Sequence, residues 1–122
     1  MAVTQSRDNR TLVAGADLSA KQFTFVKLDA AAKAISCVDG DAAFGVLEVP
    51  AGTGKAVTAT VSGKVMVKCG AAVTIGGPVG IDAAGEAVDA AVGDVVVGTA
   101  YEAGVNGQII AIEIDLAGNI QA

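Results

Sequence analysis

Displaced by 53 positions, the sequence falls back onto itself. VKLDAAAKAI (Val26 to Ile35) lies over VGIDAAGEAV (Val79 to Val88), and GDAAFG (Gly40 to Gly45) follows without a gap over GDVVVG (Gly93 to Gly98). Asp29 matches Asp82, Asp41 matches Asp94 and Gly54 matches Gly107, so the turn residues keep their spacing. A duplication over residues 26–63 and 79–116 predicts two similar units packed together, because neither buries its apolar face alone.

The units read as β structure. Val57, Ala59 and Val61 alternate with Thr58, Thr60 and Ser62, the period of a half-buried strand, and Gly63 ends the run. Val65, Val67 and Cys69 alternate with Met66 and Lys68 in a second strand, and residues 109–115 form a third. Weaker strand signals cover residues 23–28, 44–49 and 95–101. Helices are disfavoured, because Gly interrupts nearly every window of sufficient length and β-branched residues are frequent. The Asp29–Lys33 stretch allows one helical turn, but its counterpart in the second copy points to a hairpin turn. The expected class is all-β: a small Gly/Ala/Val-rich β-sandwich or partly open β-barrel, with an extended N-terminal arm over residues 1–11 and one β domain over 12–122.

Composition narrows the function. A net charge of −5 with no basic cluster argues against nucleic acid, whose binding rests on clustered Lys and Arg. The longest uncharged stretch, residues 69–81, is shorter than the ~20 apolar residues a spanning helix needs and contains Pro78 and several Gly, so no membrane partner is expected. The opening MAVTQSRDNR is polar and lacks an apolar signal region. Cys37 and Cys69 are too few for a structural zinc site and have no His to help them. They read as buried free thiols, with a disulfide between them left open.

AGTGKA (residues 51–56) invites comparison with a phosphate loop. Val49 stands where the first Gly belongs, Pro50 lacks an N–H, and Ala56 lacks the magnesium-binding hydroxyl. Gly54-Lys55 matches Gly107-Gln108, so the stretch reads as a corner between strands. Asp39 and Asp41 do not complete a calcium loop and read as a solvated turn. Without His, and with a single Tyr, the chain offers few groups for nucleophilic or acid–base chemistry. No enzyme, cofactor, metal or small-molecule substrate is expected.

Two readings of the remaining features stay open. A carrier or binding module of the biotinyl type is also small, acidic and built from two β halves, but Met66 and Lys68 are separated by Val67 and alternate within a strand instead of occupying an exposed turn. The aromatic residues divide similarly: Phe44 reads as core, whereas Phe23, Phe25 and Tyr101 are candidates for a subunit interface, where large rigid side chains contribute most.

LVAGADLSAKQFTFVKLDAAAKAISCV, GDAAFGVLEVPAGTGKAVTATVSGKVMVKCGAAVTIGGPVGIDAAGEAVDAAVGD and GTAYEAGVNGQIIAIEI, in that order, resemble the small capsid decoration, or cement, proteins of tailed bacteriophages. The resemblance covers the chain from about Leu12 onward. It implies a structural virion protein, made in the bacterial host cytoplasm, that binds the outer surface of the head, bridges neighbouring major capsid protein subunits and assembles as a homotrimer. Under that reading the polar N-terminal segment extends over the capsid, with Arg7, Asn9, Arg10 and Leu12 as contact residues. Arg suits that role because it forms bidentate bonds with carboxylates. The alternative for this segment is a loose polar tail.

Overall fold

A computed structural model describes residues 5–121, with the side chains of residues 5–7 left undescribed. Among the described residues there are nine strands and no helix: β1 (Gln5–Val13), β2 (Phe25–Leu28), β3 (Ala34–Ser36), β4 (Gly45–Val49), β5 (Ala56–Lys68), β6 (Pro78–Ile81), β7 (Ala87–Asp89), β8 (Gly98–Ala100) and β9 (Ile109–Ile114). Every ladder is antiparallel, in the order β3-β2-β4-β5-β9-β8-β6-β7, and β1 joins on β5. The chain is therefore all-β.

The duplication holds to the single residue. β2 pairs β3 with Val26 opposite Ser36, and β6 pairs β7 with Val79 opposite Asp89. Val46 opposite Thr60 in β4–β5 becomes Thr99 opposite Glu113 in β8–β9. The turns follow suit: Asp29 Oδ1 accepts the N–H groups of Ala31 and Lys33, and Asp82 Oδ1 accepts those of Ala84 and Glu86. The Asp29–Lys33 stretch is thus a hairpin turn between β2 and β3, pinned by a carboxylate that satisfies backbone donors. Gly54 and Gly107 occupy the matching corners with φ +81° and +86°, a left-handed conformation open to Gly without steric cost. The GTGK stretch turns the chain into β5.

Before β2 the offset changes from 53 to 55. Leu12 lies opposite Val57 in β1–β5, and Val67 lies opposite Ile110 in β5–β9. The second half of β5 therefore does for unit 2 what β1 does for unit 1. Leu18 donates its N–H to Ala51 O as Val73 does to Gly104 O, whereas Lys21 O and Thr74 O accept from Thr24 and Gly77. Ser19 and Ala20 are thus the extra residues of unit 1. Each unit curls on itself: the end of β1 bridges β3 through Ala14 and Ala34, and the end of β5 bridges β7 through Cys69 and Ala87. Of the two expected architectures, the partly open barrel of paired β units is the one formed.

One core cluster belongs to unit 1 and contains Leu18, Val26, Leu47, Val57 and Ala59. The larger cluster contains their counterparts Val73, Val79, Ala100, Ile110 and Ile112, and it extends to Phe25, Cys37 and Val46 at the junction between the units. Phe25 is the largest fully buried side chain. With so few large residues inside, each Leu or Ile matters, at about 1.5–3 kcal/mol of burial apiece.

Several expectations are corrected. The two strands read on either side of Gly63 are one strand: β5 passes through Gly63, and bulges at Arg7 and Val61 absorb the irregularity in the β1–β5 register. The strand read over residues 23–28 begins only at Phe25, because Phe23 sits at φ +66° and leaves the extended conformation. Phe23 and Phe25 therefore do not share a strand face. The boundary placed between residues 11 and 12 falls inside β1, which continues unbroken from Gln5 to Val13.

Candidate functional site

β1 and the neighbouring outer face of the sheet carry most of the residues singled out in the sequence. Of the segment expected to contact a capsid, residues 1–4 lie outside the described residues, and the rest is strand. Arg7 occupies the bulge between Ser6 and Asp8. Arg10 is exposed, and among the described residues its guanidinium makes one hydrogen bond, from Nη1 to Asn9 O at 3.0 Å. Leu12 turns inward instead and packs on the core of unit 1. The alternation of β1 thus presents Asn9 on one face and turns Leu12 to the other.

Asn9 and Tyr101 turn out to belong to equivalent triplets, Asn9 matching Lys64 and Glu48 matching Tyr101. In unit 1, Thr60 Oγ1 lies 2.9 Å from both Asn9 Oδ1 and Glu48 Oε2, bridging β1, β5 and β4. With one proton, the hydroxyl donates to one of these oxygens at a time. The same three positions in unit 2 hold Lys64, Glu113 and Tyr101. Tyr101 OH donates to Glu113 Oε1 at 2.6 Å, and Lys64 Nζ sits 4.6 Å from the centre of the Tyr101 ring. The carboxylate accepting that bond, with burial as a lesser cause, raises the Tyr101 pKa above its ordinary value. Tyr101 is 49% exposed, and its ring carries a cation–π contact. Lys64 pairs with Gln5 on one side and Glu113 on the other, so the aromatic triplet stands one strand away from the start of β1.

The three residues expected at a subunit interface are placed differently. Phe25 is fully buried within its own chain and offers no surface. Phe23 is half-buried in the loop before β2; it donates its N–H to Leu47 O at 2.7 Å and accepts from Lys68 N–H at 2.8 Å, which fastens unit 1 to unit 2. Tyr101 is the one with a broad open face.

Charge is divided unevenly between the halves. Residues 1–63 hold six cationic and six anionic side chains, and residues 64–122 hold two and seven, so the second half carries the whole net charge of −5. Two ion pairs are described: Lys27 to Asp41 at 2.7 Å and Lys68 to Glu86 at 3.1 Å. Lys68 and Met66 lie inside β5, not in an exposed turn. Asp41 also accepts the Val38 N–H, so the Asp39–Asp41 segment is a turn closed by its own carboxylate.

Cys37 and Cys69 are free and buried, and burial followed by the nearby Asp41 charge pushes the Cys37 thiol up to about 12. A thiol held protonated in this way is a poor nucleophile.

The equivalent triplets and the free edge of β1 were only partly visible in the sequence. Asn9 and Tyr101 were each singled out, but Thr60, Glu48, Lys64 and Glu113 were not, because they meet only once β1 is known to lie on β5. The 55-residue offset linking Asn9 to Lys64 would have been the signal.

No protein-family model matches the chain, and no curated protein matches it in sequence. Among solved structures, it is similar to the N base of the head fiber gp8.5 of bacteriophage phi29, with a TM-score of 0.70 and 16% sequence identity, over 92% of this chain and 97% of that chain. At that identity the likeness is one of fold, and it spans both β units.

Proposed function

We propose that this chain is a structural, non-catalytic protein of a tailed-phage virion, made in the host cytoplasm, that binds the outer surface of the head as a homotrimer and bridges neighbouring major capsid subunits. The observation that carries this reading is the similarity of fold to a phage head fiber base over nearly the whole of both chains. The exposed Arg10 on β1 and the open Tyr101 ring supply the kinds of group that dominate protein–protein contacts. In this reading β1 faces the shell, with Arg7 and Arg10 meeting carboxylates of the capsid protein and Asn9 adding an amide contact. Leu12 holds the strand in place from within. The partly open barrel is the rigid body that carries that edge.

Quantitative mass spectrometry of purified particles tests the proposal by counting this chain against the major shell protein. A simple lattice fraction, with three copies at each occupied position, is the expected result. Absence from the particles would overturn the virion role, and a covalent adduct on Lys55 or Lys68 in the intact mass would then favour a carrier module.

A further inference from the structure

Unit 1 covers an edge of unit 2, and among the described residues the same edge of unit 1 is bare. Ala14 turns its N–H and C=O inward to Lys55 O and Gly54 N–H, so the N–H of Val13 faces away from β5. Cys69 repeats this with Gln108 and Gly107, and the outward N–H of Lys68 is taken by Phe23 O at 2.8 Å. Lys68 is thus the counterpart of Val13, which is 43% exposed. The counterpart of Phe23 is Gly76: both have left-handed φ, +66° and +71°, and their N–H groups bond to Leu47 O and Ala100 O. Gly76 is exposed, and among the described residues no N–H donates to its carbonyl.

We propose that copies of this chain associate head to tail, the outward edge of β1 around Val13 in one copy receiving the Gly76 turn of the next. This deepens the self-association proposed above and rests on it.

Side chains at the bare face agree. Ile81 and Val97, buried at the junction inside the chain, correspond to Leu28 and Phe44, which stay apolar although Leu28 is 38% exposed and Phe44 half-exposed. The charge division agrees too, since head-to-tail contact sets the neutral unit of one copy against the acidic unit of the next and keeps acidic units apart.

The contact between copies is weaker than the junction it imitates. Phe25 donates its N–H to Gly85 O, but its counterpart Pro78 has no N–H. Gly40 donates to Ile81 O, but the N–H of its counterpart Gly93 is already held by Gln121 O. Association through the remaining bond and the apolar surface is therefore reversible on dilution. A contact between unlike faces closes into a ring when its rotation permits.

Cysteines placed at the two ends test the geometry. Gly76→Cys is tolerable because Phe23 carries a side chain at the same φ and nothing lies near the added atom. Cys37 and Cys69 are fully buried and stay out of the reaction. On mild oxidation, a mixture of folded Val13→Cys and Gly76→Cys proteins is expected to give disulfide-linked pairs, whereas neither variant alone does. No linkage in the mixture, or equal linkage in a single variant, overturns the proposal. Val13→Pro removes the outward donor without touching a bond to β5, and it is expected to raise the dissociation constant about ten-fold, the effect of roughly 1.4 kcal/mol. Unchanged sedimentation of Val13→Pro, or a wild-type chain that never associates, also overturns it. The particle count is independent of all these results.

Discussion

Leu47 faces Ala59 across the β4–β5 ladder, a large side chain against a small one, and unit 2 reverses the order by setting Ala100 against Ile112 across β8–β9. All four are buried. The two units fill the same layer from opposite strands, so volume is kept across the pair while neither position is kept alone.

Copying one unit's residue into the other should therefore fail singly and recover jointly. Ala100→Leu is expected to cost about 1–3 kcal/mol through overpacking, and Ile112→Ala about 2–5 kcal/mol through a cavity. The double variant rebuilds the unit 1 arrangement and should lose clearly less than the sum. Urea unfolding of the three proteins measures this; strict additivity would show that the pair does not share a space.

Gly85 and Ala32 share a left-handed turn position, at φ +78° and +60°, but only Gly85 is buried. A methyl group at Gly85 would stand 3.1 Å from Phe25 O and 3.2 Å from Cys37 O. Gly85→Ala should cost about 2 kcal/mol or more, because strain and crowding combine. Ala32→Gly should stay within about 1 kcal/mol of neutral, since relief of φ offsets the entropy lost by Gly. Thermal unfolding distinguishes the two.

Acid should weaken the fold through Asp29 and Asp41. Backbone N–H groups, Lys33 first and then Ala31, hold Asp29 below its ordinary 3.8, and Lys27 followed by the Val38 N–H does the same for Asp41. Between the lowered folded values and 3.8 the unfolded chain binds more protons, so stability rises with pH across that window. The contribution is complete above 3.8 and disappears as pH falls through the folded values. Urea midpoints taken from pH 5 down to pH 2 should show this slope, and Asp29→Asn with Asp41→Asn should flatten it.

Arg10→Ala is expected to weaken binding to particles by about ten-fold or more, if one charge-assisted bond of roughly 1.5–3 kcal/mol is lost. The thermal midpoint should barely move, because the side chain is exposed and its one described bond is local. Truncation is a poorer probe, since β1 is part of the sheet. Full occupancy with Arg10→Ala would remove this residue from the contact.

The second half of the fold was readable because β6, β7, β8 and β9 begin 53 residues after β2, β3, β4 and β5. β1 was hidden for a physical reason: Asp8, Asn9, Arg10 and Thr11 are exposed, and polar residues fill the strand up to Leu12, so no apolar period marks it. β3 and β7 are too short to show a period. The copy of β1 was concealed inside β5, where Asn9 and Arg10 correspond to Lys64 and Val65 and Leu12 keeps an apolar counterpart in Val67. For the same reason the sequence match begins at Val26, although the structural unit reaches back to β1. Phe23 misled because its left-handed backbone breaks the alternation that Phe25 begins.

β5 is one strand with two owners, giving its first half to one unit and its second half to the other. The two units are therefore joined without a linker, and neither can loosen without moving the strand on which both hang. Loss of order in either half pulls on the same backbone, and the chain is built to melt in one cooperative step instead of half at a time.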